Sequence, residues 1–357
     1  MNGDYIVSPK HTDPIRLGTR GSALALTQAE LVKEQLEAHR YTVDIVEVTT
    51  TGDEIQDELI SRLGKTGAFV RELDERVLSG DLDAAVHSLK DMPTEMPPDL
   101  IVAAIPERER VGDALLTPGG RSLAELPDGA VVGTGSLRRQ AQLQRLRSDL
   151  SVVPIRGNID TRIVKLLAPT VQQQAAEVAA DEREEWEQSL GDIEQRALHR
   201  EFSTAYDAIV LAHAGLERTG LHKAIHVASL PKEKVVPAAG QGAIAVTMRD
   251  GDLAHQVHQQ IDHPPSRVAV TVERTILAGL NGGCIAPIGV HAVVQADIVR
   301  TNVAVLSSDG DEQIAVKREI PVEAHVEGAQ EVATELVEMG ADELIAAAKR
   351  DPGAGRL

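Results

Sequence analysis

The sequence has very little cysteine, aromatic residue or lysine, and these shortages exclude several classes of protein. Its one cysteine is Cys284, so a disulfide framework and a zinc site made of several cysteines of one chain are both excluded. Charges interrupt every apolar stretch well short of the roughly 18 residues that a spanning helix needs, which argues against an integral membrane protein. The polar segment Met1–Pro14 has no basic start followed by an apolar run, and we expect no secretory signal.

Positive charge is also scarce. The chain has 36 Lys and Arg against 55 Asp and Glu, a net charge of −19, and its arginines outnumber its lysines 26 to 10. This excess repels nucleic acids and anionic membranes, so we expect neither as a partner. An acidic surface poor in lysine suits a protein that must stay dissolved in concentrated salt. We hypothesise a salt-loving cytoplasm, with an ordinary acidic cytosolic protein as the alternative.

The apolar pattern of the first 220 residues predicts strands that alternate with helices, as in a mostly parallel α/β sheet. A chain of 357 residues suggests two or three domains. In a first unit we predict the strands Ile15–Gly18, Thr42–Val48, Asp83–His87 and Ile101–Ile105 and the helices Ala23–Leu36 and Phe69–Leu78. A second unit begins near Val111, with the strands Ala130–Val132, Val152–Ile155 and Tyr206–Leu211 and the helix Leu137–Leu146.

The last part of the chain changes character and predicts a small α+β domain. A strand-to-helix run spans Pro264–Leu280, and a closing helix spans Val332–Arg350. Between them we predict antiparallel strands at Ile288–Val294, Val303–Ser308 and Glu312–Pro321. The earlier segment Ala168–Ala205 has nine acidic and three basic residues and one apolar helical stripe, and it is interpreted as a helical insertion on the surface.

Three strands are predicted to run into a polar turn and then a helix, at Leu17–Ser22, Val132–Ser136 and, less regularly, Val86–Asp91. The free N–H groups at such a helix start favour an anion, and strand ends are where ligands bind in open α/β sheets. Arginines follow these and neighbouring strand ends. They are Arg20, Arg138, Arg139, Arg156, Arg162 and Arg218. Because arginine pairs with carboxylates and phosphates in a bidentate way, the set predicts a ligand with several such groups. The alternative for each arginine is a structural ion pair.

Two other features carry chemistry of their own. Asp91 beside Lys90 could hold an N–H-bearing cation or stabilise a developing positive charge, or it could cap the turn before Pro93. Cys284 follows two glycines on a tight loop and could form a covalent adduct, or it could be a small buried apolar residue. The glycine-rich segment Val236–Ala245 is typical of a hinge or crossover. No phosphate-binding or zinc-protease motif is present, so neither mechanism has support.

Seven segments, in the same order, closely resemble porphobilinogen deaminase, also called hydroxymethylbilane synthase. They are Arg16–Leu26, His87–Pro93, Gly133–Gln140, Arg156–Arg162, Ala214–Arg218, Pro237–Gly242 and Gly282–Gly289. The resemblance implies a transferase that joins four porphobilinogen molecules head to tail with loss of ammonia. The chain grows on a dipyrromethane cofactor, and hydrolysis then releases hydroxymethylbilane.

The resemblance also assigns roles to single residues. It implies that the cofactor is attached to Cys284 by a thioether and that Asp91, with Lys90, contacts the cofactor and acts in catalysis. The other cofactor-binding residues that it implies are Ser136, Arg138, Arg139 and Arg162. The substrate-binding residues that it implies are Arg20, Ser22, Phe69, Arg156, Arg162 and Arg218. Lys65 falls in Gly52–Gly67, which matches a loop that acts as a lid in the family.

The family's fold implies two domains similar to type II periplasmic binding proteins, which flank a cleft, and a third, small α+β domain. The boundaries that follow are 1–106 with 240–260, 107–239 and 261–357. The insertion at 168–205 is absent from the usual family pattern. Asp160, within the arginine segment, would weaken anion binding locally if it pointed inward, and we expect it to point to solvent. A cytoplasmic monomer is implied, with transient transfer of the product to uroporphyrinogen III synthase.

Two alternatives remain. A non-catalytic carboxylate-binding protein with the same two-domain cleft explains the arginines but has no use for Asp91 or the cysteine loop. A hydrolase or acyltransferase with a cysteine nucleophile would need a histidine base, and no histidine forms a recognisable motif near Cys284. His87, His213 and His291 are expected to be structural.

Overall fold

The computed structural model describes residues 13–48, 68–281 and 286–350, without the side chains of Ala68 and Phe69. The strands are β1 Ile15–Arg20, β2 Val43–Val48, β3 Ala84–Ser88, β4 Leu100–Ala104, β5 Asp113–Thr117, β6 Val131–Gly133, β7 Ser151–Val153, β8 Ala208–Ala212, β9 His226–Ser229, β10 Ile244–Arg249, β11 Ile288–Gln295, β12 Ile298–Leu306 and β13 Gln313–Pro321. The α-helices are α1 Ala23–Ala38, α2 Ala68–Ser79, α3 Leu137–Leu146, α4 Ile159–Glu177, α5 Arg183–Ser189, α6 Asp192–Leu198, α7 His213–Thr219, α8 Asp252–Ile261, α9 Pro264–Gly279, α10 His325–Glu338 and α11 Ala341–Arg350. Short 3₁₀ turns lie at Leu89–Asp91, Leu221–Lys223 and Val322–Ala324.

The chain forms two compact units. Unit 1 contains the described residues of 1–92, 96–107 and 244–263, and unit 2 contains those of 93–95, 108–243 and 264–357. The three-domain boundaries implied by the family resemblance stay a prediction.

Unit 1 is built on a five-stranded sheet of order β2-β1-β3-β10-β4. The first three strands are parallel, and β10 runs antiparallel to both of its neighbours. Both faces are covered, because Ala84 and Val86 of β3 belong to the core that contains residues of α1 and α8, whereas Ala85 belongs to the core that contains residues of α2. A strand buried on both faces needs a continuous apolar run, which is what β3 has.

The first sheet of unit 2 repeats this arrangement in the order β7-β6-β8-β5-β9. Here β6, β7 and β8 are parallel, and β5 runs antiparallel to β8 and β9. Side chains of β8 again alternate between two cores, with Ile209 packed in the α4 core and Val210 in the core of Leu143. The two five-stranded sheets confirm the predicted α/β class.

The C-terminal part of unit 2 is α+β, as predicted. The antiparallel strands β11-β12-β13 share a core with α9, α10 and α11. Two predictions are wrong in detail. The run from Pro264 is helical from its first residue and has no strand, and the predicted closing helix is two helices. The break between them falls at Gly340, whose φ of +91° is left-handed and does not continue an α-helix.

The insertion is helical, but it does not begin at residue 168. Helix α4 runs without interruption from Ile159 to Glu177 with Pro169 inside it, and α5 and α6 follow. Ile193 and Ala197 of α6 are buried in the same core as Val171 of α4. The segment is therefore part of a core and not only a solvated surface addition, because its apolar stripe packs on α4.

His291 in β11 lies in a cationic environment. Burial, together with the charges of Lys232 and Arg108, lowers its pKa to about 3. An unfolded histidine has a pKa of about 6.5, so between pH 6.5 and 3 the unfolded chain binds a proton that the folded chain does not. The free energy of unfolding should therefore fall as the pH falls through this window.

We predict that wild type loses stability relative to a His291→Asn variant between pH 7 and pH 4. Denaturant unfolding of both proteins at several pH values measures the difference, in which other titrating groups cancel. The matched control is His255→Asn, since His255 is 67% exposed. Parallel curves for wild type and His291→Asn would show that His291 is protonated in the folded chain.

Candidate active site

The carboxyl ends of the parallel strands of unit 1 bring two of the predicted segments together. Strands β1 and β3 pair in parallel, so Arg20 at the end of β1 and Ser88 at the end of β3 lie at the same edge of the sheet. A hydrogen bond joins this edge to α1, since Gln28 Nε2 donates to Ser88 Oγ over 2.9 Å. The helix start and the end of β3 are thereby held side by side.

The turn between β1 and α1 is closed by its own side chains. Ser22 is the N-cap of α1, and its Oγ accepts a hydrogen bond from the Ala25 N–H at 3.3 Å. A Cβ on Gly21 would meet the Glu47 carboxylate, so a larger residue there would displace that side chain. Ser22 therefore positions the helix start in addition to its predicted part in substrate binding.

Lys90 and Asp91 follow β3 in the 3₁₀ turn Leu89–Asp91. Asp91 is exposed, and its carboxylate has no hydrogen bond or ion pair with any residue in the described ranges. The N–H of Met92 bonds instead to the Leu89 carbonyl. The structure therefore does not show a capping aspartate, and the carboxylate of Asp91 stands at the sheet edge without a partner among the described residues.

The histidine of the same motif has a structural partner. His87 is buried, and its Nε2 lies 3.0 Å from Asp74 Oδ1 on α2, which also accepts from Thr247 Oγ1. The bond ties β3 to α2 and leaves Asp91 as the exposed group of this segment.

In unit 2 the carboxyl ends of β6, β7 and β8 likewise share one edge. Ser136 is the N-cap of α3, but its hydroxyl makes no cap hydrogen bond. The guanidinium of Arg162 lies over the preceding turn, because its terminal nitrogens would be 3.9 Å from a Cβ on Gly135. Arg162 Nε donates to the Gly157 carbonyl at 2.7 Å, which fixes the arginine beside the serine turn.

Lys165 adds a cation that the sequence analysis missed. Its Nζ donates to the Arg156 carbonyl at 3.0 Å. Burial and then the charge of Arg162 lower its pKa. The spacing of three residues from Arg162 on one helix is the signal that could have identified it. The side chain of Arg156 is exposed. Arg156, Arg162 and Lys165 together make this edge of the unit 2 sheet positively charged.

Arg218 on α7 is fixed by the crossover segment. Its guanidinium donates to the Gly242 carbonyl at 2.8 Å. Gly242 has a φ of +86°, and a Cβ there would lie 2.5 Å from the Glu109 carbonyl oxygen, so glycine is required at this position. Burial lowers the pKa of Arg218, and the charge of Glu109 opposes that shift.

Arg138 and Arg139 are not at the exposed edge. They are 4% and 6% exposed, and both pair with Asp113, at 2.7 and 2.8 Å. Burial by itself would raise the pKa of Asp113, but the two guanidinium charges outweigh it and hold that pKa far below its usual range. Arg138 Nε is buried without a hydrogen-bond partner among the described residues. The structural ion pair, the alternative from sequence, is present at both positions, and direct cofactor binding by them stays a prediction.

Comparisons with known proteins identify relatives of this chain. The model "Porphobilinogen deaminase, dipyromethane cofactor binding domain" matches residues 15–189 and 170–257, and "Porphobilinogen deaminase, C-terminal domain" matches residues 268–338. A probable porphobilinogen deaminase of Halobacterium salinarum is 45% identical over 94% of this chain and 98% of its own. The porphobilinogen deaminase of Thermobifida fusca is 39% identical over 97% and 98%.

This chain belongs to the porphobilinogen deaminase family. The family makes it a transferase with a dipyrromethane cofactor, and the non-catalytic alternative loses its support. Among solved structures, the methionine binding protein MetQ matches with 13% identity and a TM-score of 0.37, over 69% of this chain and 89% of its own.

Three predicted residues of the porphobilinogen deaminase site cannot be placed. Lys65 and the rest of the predicted lid lie outside the described residues, as do Cys284 and the side chain of Phe69. Over the ranges that are described, no helix is long and apolar enough to cross a membrane. In the same ranges, no three His, Cys, Asp or Glu side chains come together as metal ligands would.

We predict that Asp113→Asn strongly destabilises the protein, because it leaves two buried arginines without a counter-charge. Loss of one partner of a buried ion pair costs roughly 3–5 kcal/mol. Denaturant unfolding measures the loss. Asp128→Asn is the control, since the Asp128 side chain is fully exposed in its pair with Arg147 and its loss should change stability little. Equal stability of the two variants would contradict the structural role of Asp113.

Proposed function

We propose that the exposed carboxylate of Asp91 and the arginines at the two sheet edges carry out the condensation of porphobilinogen. The supporting observation is Asp91 itself, a carboxylate without a described partner at the end of a buried strand in a chain of net charge −19. The position of Asp91 supports this role, because it lies in the 3₁₀ turn that follows β3, at the sheet edge where ligands bind in open α/β sheets.

The reaction creates positive charge where ammonia departs from each porphobilinogen. A fixed negative charge next to that carbon stabilises it more than it stabilises the neutral substrate, and this difference accelerates the step. The carboxylate of Asp91 can also accept a hydrogen bond from a pyrrole N–H. We assign it both tasks, with Lys90 beside it as a contact to a ligand carboxylate.

The described basic groups fit a cofactor and substrate that carry several carboxylates. At the unit 2 edge, Arg156, Arg162 and the Ser136 hydroxyl would hold such groups, and Lys165 adds charge. At the unit 1 edge, Arg20 and Ser22 would do the same. When bound, the dipyrromethane supplies the pyrrole carbon to which the first substrate is joined, and Cys284 would hold it by a thioether.

The buried arginines are assigned differently. Arg139 donates to Asp113, to the Val210 carbonyl and to Gln241, so all three of its side-chain nitrogens are already engaged. Arg138 uses only its Nη1 in hydrogen bonds, to Asp113 and to the Val236 carbonyl, and its Nε is buried without a partner among the described residues, which makes it the better candidate for direct contact with the cofactor. Arg218, bonded to Gly242, would offer its remaining donors to substrate. Phe69 and Lys65 keep their predicted roles in substrate binding and in the lid.

The cellular setting is part of the same proposal. We place the protein in the cytoplasm as a monomer, with porphobilinogen as its small-molecule substrate. A transient hand-over of its linear tetrapyrrole product to uroporphyrinogen III synthase is proposed as the next step.

The intact mass of the purified protein tests the cofactor. We expect it to exceed the sequence mass by two deaminated porphobilinogen units, and we expect a Cys284→Ser variant to lack this excess. Added porphobilinogen should give further steps of one unit in wild type. A bare sequence mass that stays unchanged with porphobilinogen would contradict the proposed activity.

For Asp91 we predict that Asp91→Asn keeps the cofactor mass but lowers kcat by about 100-fold or more, the usual cost of one stabilising group in an active site. Product formation after quenching measures the rate. Asp99→Asn is the matched control, because Asp99 is an exposed aspartate eight residues further along the chain, directly before β4. A variant at Asp91 with the kcat of wild type would assign the charge stabilisation to another group.

A further inference from the structure

One ion pair connects the inserted helices to the arginine segment Arg156–Arg162. Arg196 on α6 places its terminal nitrogen 2.7 Å from the Asp160 carboxylate in the first turn of α4. The pair is partly shielded, with side chains 30% and 34% exposed. Asp160 thus does not simply point to solvent, as the sequence had suggested, because the insertion supplies its counter-charge.

A second contact from the same segment reaches the next cation of α4. Lys165 Nζ lies 5.8 Å from the centre of the Phe202 ring, which follows α6 in the chain. The same Nζ holds the Arg156 carbonyl. The insertion therefore touches α4 on both sides of Arg162, at Asp160 and at Lys165.

The insertion is anchored firmly enough to transmit these contacts. Gln172 of α4 donates to the carbonyls of Ala197 and Arg200 at 3.1 and 2.8 Å. Ile193 is buried in the same core as Val171. Helix α6 is thus held at fixed positions along α4, and Arg196 cannot easily drift from Asp160.

We propose that Arg196 is a positioning residue that neutralises Asp160 and, with Phe202, holds the start of α4 so that Arg156 and Arg162 bind carboxylates at full strength. This inference rests on the proposed anion-binding role of those two arginines. Without Arg196, the Asp160 charge would stand unpaired two residues from Arg162 and would repel the anion that the arginines attract.

A double-mutant cycle separates this electrostatic role from a merely structural one. We expect Arg196→Ala to raise the KM for porphobilinogen about two- to fivefold, the range over which exposed charges couple, with little change in kcat. Asp160→Asn combined with Arg196→Ala should return KM to near the wild-type value, since the carboxylate in the arginine segment is gone. The other partner of Arg196, Asp192, is 82% exposed on α6 and loses only a surface pair. The KM increase should shrink as salt is raised, because ions screen exposed charges.

Arg200→Ala is the matched control. It removes the same charge from the insertion, but the exposed Arg200 side chain has no hydrogen bond or ion pair with a described residue, so KM should not change. Arg196→Lys keeps the positive charge next to Asp160, so its KM should stay close to that of wild type. If the double variant keeps the raised KM, or if Arg200→Ala raises KM equally, the proposed pairing is overturned.

Amide hydrogen exchange gives a readout that does not depend on turnover. Exchange in residues 156–165 should accelerate in Arg196→Ala and in Phe202→Ala but not in Arg200→Ala. If wild type makes no product, the proposed function fails, and the exchange data still decide whether the insertion holds this segment. Unchanged exchange in both variants would overturn the positioning role.

Discussion

Two buried carboxylates hold the crossover segment of unit 2, and much of that unit depends on them. Glu273 is fully buried and accepts from Arg108, from the Gly240 N–H and from the Ala292 N–H. Asp113, also fully buried, pairs with two arginines and accepts from Gln241. Since a buried charge left without partners is very costly, each carboxylate admits only the arrangement that satisfies it.

The bonds of these two carboxylates also fix the segment that holds Arg218 of the candidate site. Gln241 bonds to Asp113 and, through its carbonyl, to Arg108, so it connects the two charge clusters. Arg108 N–H also bonds to Ser266, and Glu109 N–H bonds to the Gly242 carbonyl, so three separate segments of unit 2 meet here. The Gly242 carbonyl accepts a hydrogen bond from Arg218, a predicted substrate-binding residue, and this bond links Arg218 to the crossover segment.

The geometry also shows that the arginines of one motif set divide into two kinds. Arg138 and Arg139 are buried in ion pairs with Asp113, whereas Arg156 and Arg162 remain at a sheet edge beside Lys165. All follow strand ends, and all are arginines, so the pattern that drew attention to them could not separate them. The distinction arises because Asp113 is 25 residues before Arg138 in the chain. Formation of the sheet brings the Asp113 carboxylate next to α3.

The sequence by itself determined the α/β class, most strands and helices, and the family, because apolar periodicity and short motifs are local properties of the chain. It placed the helix Leu137–Leu146 correctly, but it missed the break at Gly340 and the helical start at Pro264. Only the tertiary structure decided which charges meet: Asp113 with two arginines, Glu273 with Arg108, and Asp160 with Arg196 of the insertion. These pairs join residues 25 to 165 positions apart, and no local pattern encodes which acid a buried arginine will find.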